Sequence, residues 1–295
     1  MEDNRRWLLV AAVAPILWGS TYFVTRTFLP PGALWGGTLR ALPAGLLLLV
    51  LVRRVPRGSW WWKAVVLGVL NVGGFFALVY QAAQLLPSSI ASTVMATAPI
   101  ALALLAWVLL GERPSGWRLA GASVGVGGVA LLLLGGPGRV DGTGVVVSVA
   151  AMASSSLGFV LGKKWNTEVG VLPSTAWQLL VGGVLLLPVA FLVEGPPPRL
   201  DPVALTATVW LTVVATALAY VAWFAALDHL RGDVIGLVGL LNPVAGVLLG
   251  VLVGAEAIGS RQVIGLTLVL IGIAGPLLIG RRRTTATGRS ARPHP

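Results

Sequence analysis

Residues 99–113 read PIALALLAWVLLGER, and residues 243–257 read PVAGVLLGVLVGAEA. Pro99 and Glu112 therefore recur as Pro243 and Glu256, each 144 positions later. At the same offset Ala101, Leu104, Leu105, Gly121, Gly128 and Leu133 meet Ala245, Leu248, Leu249, Gly265, Gly272 and Leu277. That spacing is nearly half of the 295 residues, so the repeated unit is half a protein and not a short solenoid module. Each copy holds five apolar segments of membrane length. An odd number of crossings turns the second copy over relative to the first, an arrangement on which secondary transporters are built.

Composition agrees with a bilayer. The chain is 56% hydrophobic and 11% charged, with a mean hydropathy of +0.89, where soluble domains carry about 25% charged residues. The net charge of +11 does not point to nucleic acid, because the basic residues sit in short clusters between apolar runs. Cysteine is absent, which excludes disulfides, thiol catalysis and cysteine-held metal. Neither a metal site nor a cofactor is expected. Twelve tryptophans suit interfacial belts and a stacking surface in a cavity.

A membrane crossing needs about 20 mostly apolar residues, which places spans at 7–28, 33–52, 63–86, 88–110, 116–135, 142–163, 172–194, 203–227, 233–254 and 260–280. The first follows Arg5 and Arg6 but is too long for a signal-peptide core, and it reads as an uncleaved span. The expected fold is an all-α integral membrane protein of ten helices in two inverted five-helix repeats. Residues 1–140 form the first repeat, 141–280 the second, and 281–295 a disordered basic cytoplasmic tail. With the N-terminus cytoplasmic, sixteen Lys and Arg fall on that side against three outside. This bias puts both termini in the cytoplasm and the protein in the cytoplasmic (inner) membrane.

Several polar residues interrupt the spans. Arg40 lies about 10 Å along span two at 1.5 Å per residue, where it either snorkels outward or faces a polar interior. No acid is close to it in the sequence, and its counterpart in the second half is approximately Gln178. Pro99 and Pro243 sit inside apolar segments, so each reads as an ordinary kink or as a broken helix beside a cavity. Asn242 adds an amide that could reach a substrate or satisfy a freed carbonyl. Asn71 and Gln81 are expected to be buried at bilayer depth, where they must find hydrogen-bond partners. With Trp18, Tyr22, Tyr80, Tyr220 and Trp223 they make a mixed wall of amides and rings suited to a planar or zwitterionic metabolite. The cavity candidates are thus Trp18, Tyr22, Arg40, Asn71, Tyr80, Gln81, Pro99, Tyr220, Trp223 and Asn242.

Glu112 and Glu256 read as helix-end structural carboxylates, Glu112 pairing with Arg113 or Arg118. All ten acids fall in loops, tails or span ends, which argues against a proton-coupled multidrug mechanism that needs a midplane carboxylate. The glycine run from Gly125 to Ala130 has the letters of a dinucleotide fingerprint but no strand before it, so it reads as close helix packing.

Trp18-Gly-Ser-Thr-Tyr22, Arg40 and the two Pro-to-Glu stretches together resemble the EamA branch of the drug/metabolite transporter superfamily over nearly the whole chain. Arg40-Ala-Leu-Pro-Ala-Gly45, the stretch 56–62 and the stretch 192–198 are similar to its PecM-like group, often described as blue-pigment exporters. The second copy departs from the pattern, with Ala-Glu256-Ala in place of Gly-Glu-Arg. The resemblance implies export of a small organic metabolite, amino-acid-like or planar and pigment-like, by alternating access. The partners expected are that small molecule and the lipid bilayer, with no nucleic acid; the oligomeric state is left open, a monomer being one option. A non-transporting membrane sensor and a proton-coupled multidrug exporter are the alternatives. A membrane enzyme is disfavoured, because His229 and His294 are the only histidines and no acid lies deep in a span.

Overall fold

The computed structural model describes residues 2–30, 32–85, 94–133, 141–253 and 259–289. All regular structure among them is helical, as lipid demands of a chain that must satisfy its own backbone groups. The first five helices are α1 (Glu2–Phe28), α2 (Ala33–Val52), α3 (Trp60–Gly68, a π-helical stretch Val69–Gly73, then Gly74–Leu85), α4 (Ala98–Leu110) and α5 (Gly116–Leu133). The second five are α6 (Gly142–Asn166), α7 (Val171–Glu194), α8 (Pro202–Val209, a π-helical stretch Trp210–Leu218, then Ala219–His229), α9 (Gly232–Gly239 followed by Leu241–Leu252) and α10 (Ser260–Arg289). Six of these are long and apolar enough to cross a membrane, and three shorter apolar helices accompany them.

Local chemistry sets the helix ends. Asp141 caps α6 by accepting from Gly144 N at 2.9 Å, and Asp201 caps α8 through Ala204 N at 2.7 Å. Glu194, at the end of α7, reaches across to accept from Leu34 N and Trp35 N, both at 2.9 Å, and so caps α2. Gly111 takes the left-handed conformation, φ 71°, that closes α4.

Of the two readings of Pro99 and Pro243, the structure takes the break in the helix and not a kink in a continuous one. Pro99 lies at the start of Ala98–Leu110, where its missing N–H costs nothing, and Pro243 lies in the first turn of Leu241–Leu252 after an interruption at Leu240. Helix α10 continues past residue 280 to Arg289, since no proline or cap stops it there. Residues 290–295 lie outside the described residues.

The repeat is visible in how glycines meet. A Cβ added at Gly121 would lie 2.6 Å from Gly272 O, and one at Gly128 would lie 2.7 Å from Gly265 O. Gly265 is the twin of Gly121 and Gly272 the twin of Gly128, so each glycine packs on the other's counterpart. That exchange is the mark of a two-fold axis. The numbering rises on α5 as it falls on α10, so the paired helices run antiparallel. Helices α2 and α7 do the same: Gly45 packs on the backbone of Leu180, and Gly183 on that of Leu42, where a Cβ would lie 2.6 Å from Leu42 N. The other large packings come in twins as well. Contact of α1 with α9 matches α6 with α4, α3 with α6 matches α8 with α1, and α2 with α8 matches α7 with α3. Both π-helical stretches fall on one twin pair, α3 and α8. Small residues let these backbones approach where lipid supplies no hydrophobic drive. The large apolar side chains they displace, such as Leu51, Val108 and Leu192, form the outer surface.

Candidate functional site

A cavity of about 370 Å³ opens between α1, α2 and α8, at the end where α1 joins α2 and α7 joins α8. Thr25 lines it from α1 and Leu29 from just beyond that helix, Gly36, Leu39 and Arg40 from α2, and Thr208 and Leu211 from α8, with Pro198 and Leu200 at the rim. A π-helical turn lengthens the hydrogen-bond register and frees backbone groups for other donors. Arg40 uses that freedom: its Nε donates to Thr216 Oγ1 at 2.9 Å and its Nη2 to Ala215 O at 3.3 Å, both in the α8 π stretch. Its guanidinium also stands 5.3 Å from the Phe76 ring centre. The bundle itself thus holds Arg40 in place at the cavity wall. One turn earlier, Thr212 Oγ1 donates to Leu39 O at 3.1 Å and ties the same two helices.

The twin bridge joins α7 to α3. Asn71 Nδ2 donates to Gln178 Oε1 at 2.8 Å, and Tyr220 OH donates to Asn71 O, in the α3 π stretch, at 3.0 Å. Asn71 O and Ala215 O are 144 positions apart, so both π stretches present an equivalent carbonyl to a side chain from elsewhere. The two bridges differ in setting. Arg40 borders the cavity, whereas Asn71 and Gln178 are fully buried.

An aromatic cluster lies deeper, between the cavity and the opposite end. Trp18 packs on Tyr220 and Trp223 with ring centres at 5.4 and 5.3 Å, and Phe159 packs on Trp223 at 5.5 Å. The indole Nε1 atoms of Trp18 and Trp223 and the hydroxyl of Thr21 are buried there with no hydrogen-bond partner.

Ion pairs close the opposite end. Glu112 Oε1 accepts from Lys163 Nζ at 2.6 Å while its Oε2 accepts from Gly232 N at 2.8 Å, joining α4, α6 and α9. This corrects the expected pairing with Arg113 or Arg118, since tertiary packing brings Lys163 closer. Arg118 instead binds the buried Asp233 at 2.8 Å, joined by Arg231 and by Ser115 N. Nearby, Lys63 Nζ donates to both oxygens of Glu168 at 2.6 Å, and Trp60 Nε1 donates to the same carboxylate at 2.9 Å. The Lys63 hydrogen bond, outweighing burial, holds the Glu168 carboxyl below its ordinary value of 4.5.

The predicted residues are thus spread over separate places. Arg40 lines the cavity; Trp18, Tyr220 and Trp223 form the cluster beneath it; Asn71 bridges helices; Pro99 is buried against Gly236. The backbone of Asn242 packs on Gly19. Gln81 is exposed, contrary to its expected burial, because it sits on the outer face of α3. The side chains of Tyr22 and Tyr80, and Glu256 altogether, lie outside the described residues. Sequence reasoning missed Thr216, Phe76, Lys163 and Asp233. Only Thr212 and Thr216, one turn apart in an apolar span, offered a signal. The glycine run at 125–130 packs against α10, with the backbone of Gly125 close to Gly272.

Known proteins can now be compared. The sequence pattern of the EamA-like transporter family matches residues 5–134 and again 142–277. Protein PecM of Dickeya dadantii is 34% identical over 92% of this chain and 94% of its own. A Streptantibioticus cattleyicolor protein named "probable terminal-alkyne amino-acid exporter" is 30% identical over 94% and 93%. The inner membrane transporter YedA of Escherichia coli K12 is 27% identical over 88% and 86%. A crystal structure with 22% identity superposes with a TM-score of 0.83 over 94% of this chain and 98% of that one, a likeness of fold. Both halves carry the same family pattern and the alignment with PecM runs nearly end to end, so the protein belongs to the EamA-like transporter family, on its PecM-like side.

Proposed function

We propose that the protein is a secondary transporter that exports a small organic metabolite by alternating access, with both termini cytoplasmic and the Arg40 cavity as its outer vestibule. The observation that carries this reading is a fixed guanidinium in the wall of a ligand-sized cavity. Pockets for small ligands span roughly 300–1,000 Å³, and the present volume of about 370 Å³ suits a molecule of amino-acid or small-pigment size. An arginine so placed offers a planar donor set to a carboxylate or carbonyl. The name of the alkyne amino-acid exporter supports a small polar metabolite as cargo. The internal two-fold supplies the mechanical requirement, since two halves of like shape and opposite direction can exchange conformations about a central site.

The test compares the metabolites retained by cells with and without the gene, followed by efflux of the leading compound from cells expressing Arg40→Ala. Accumulation of one compound in the deletion strain, not relieved by the variant, is the expected result. Identical metabolite profiles, with the protein demonstrably in the membrane of the parent strain, would overturn the reading in favour of a sensor.

A further inference from the structure

The repeat relates two polar bridges, and only one of them faces open space. Residues around the other follow the same pattern. On α2, Gly36, Leu39 and Arg40 line the vestibule. The register set by Leu42 with Leu180 and Gly45 with Gly183 gives their twins on α7 as Ser174, Trp177 and Gln178. On α8, Thr208 and Leu211 line it, and at the 144-position offset their twins on α3 are Ala64 and Leu67. Those five twins are between 0% and 4% exposed. Polar atoms among them stand buried without partners: Ser174 Oγ, Gln178 Nε2 and, across the bridge, Asn71 Oδ1. Buried polar groups in folded proteins are nearly always paired, so such a concentration calls for an explanation.

We propose that Ser174, Gln178 and Asn71, with Ala64 and Leu67, line a second vestibule at the end opposite the Arg40 cavity, closed in this structure and open when the first is shut. It would take the same cargo by neutral donors and acceptors, the Ser174 hydroxyl and the two amides, where the first vestibule uses a guanidinium. The orphaned atoms are then groups that meet water or cargo in the other state. Its present closure rests on the Asn71–Gln178 bond, the Tyr220 hydroxyl on Asn71 O, the edge contact of Trp60 with Trp177 at 5.4 Å, and the Lys63–Glu168 pair. The proposal depends on the transporter reading for its purpose but not for its test.

The cysteine-free chain makes that test direct. Single variants Thr208→Cys, Ser174→Cys and Ala64→Cys are placed in lipid nanodiscs, which expose both faces, and reacted with a permanently charged methanethiosulfonate. Thr208→Cys should react readily and the other two slowly. Adding Gln178→Leu cuts the bridge and should speed Ser174→Cys and Ala64→Cys by about fivefold, the equivalent of roughly 1 kcal/mol for one hydrogen bond. Thr208→Cys should slow in the same background, because one vestibule opens as the other closes. If the two protected sites stay unreactive, or if all three sites speed up together as in a loosened bundle, the proposal fails. No cargo enters this assay, so opposed changes in labelling without any metabolite effect would sink the transporter reading alone.

Discussion

Arg40 is the one charged side chain among the residues that line the cavity. Its depth in α2 was legible in the sequence, because a charge some 10 Å into an apolar helix has few tolerable positions. Its partners were not, since Ala215 and Thr216 lie in the other repeat and become acceptors through a π-helical register that no spacing rule announces. The hydrogen bonds to Thr216 and Ala215 set the least expected cost of change. Arg40→Ala should lower stability by about 2–3 kcal/mol, as charge-assisted hydrogen bonds contribute roughly 1.5–3 kcal/mol each and water recovers part. Arg40→Lys should keep the charge but lose the fork that reaches Thr216 and Ala215 together. Thermal unfolding of the purified variants, paired with binding of the transported metabolite, checks both. Affinity should fall about tenfold or more in each variant, a loss of roughly 1.4 kcal/mol. Parent-like binding and transport in both would reduce Arg40 to an anchor.

Helices in this bundle are positioned by what they lack. Gly121 and Gly128 allow α5 and α10 to touch backbone to backbone, and Gly45 and Gly183 do the same for α2 and α7. A methyl group at Gly121 would collide with Gly272 O, which cannot move without its helix, so Gly121→Ala should destabilise by about 1–3 kcal/mol. Gly127, six residues on, has nothing within 4 Å of an added Cβ, and Gly127→Ala should be neutral or stabilising by up to about 1 kcal/mol. Melting curves of the two variants in one detergent make the comparison. If Gly121→Ala melts with the parent, the close approach of α5 and α10 is wrong. At the closed end, Glu112 ties α4 to α6 and α9. Glu112→Gln keeps an acceptor for Gly232 N but removes the negative charge opposite Lys163, so a loss of about 1–3 kcal/mol is expected without loss of cargo binding. Complete loss of binding in a well-folded variant would move Glu112 into the transport site. The broken form of α9 was half legible: Pro243 marked the place, but the interruption at Leu240 depends on packing against neighbouring helices.

At the scale of the whole molecule, the count of sixteen basic residues against three predicts a direction in the membrane. Both termini and the loop at 53–62 should face the cytoplasm, with 195–201 outside. Ser59→Cys should resist an impermeant maleimide in intact cells and react after permeabilisation, whereas Arg199→Cys should react in both. External labelling of Ser59→Cys would invert the assignment and place the Arg40 vestibule on the cytoplasmic side. The acids divide between the two ends of the bundle. Glu112, Glu168 and Asp233 pair with bases at one end, and Asp141, Glu194 and Asp201 cap helices at the other.

The sequence by itself determined the duplication, the number of crossings and the reversal of the second half. These follow from hydrophobic length and from twin residues such as Pro99 and Pro243, properties that each segment carries alone. It also singled out Arg40 and the bilayer depth of Asn71, because a polar group among apolar neighbours stands out in one dimension. Only the tertiary structure decided which twin of each polar bridge is open. Arg40 with Ala215 and Gln178 with Asn71 occupy places related by the repeat, yet one pair borders a cavity and the other is sealed. The physical reason is that burial at each end is set by contacts made across the axis, between residues more than a hundred positions apart.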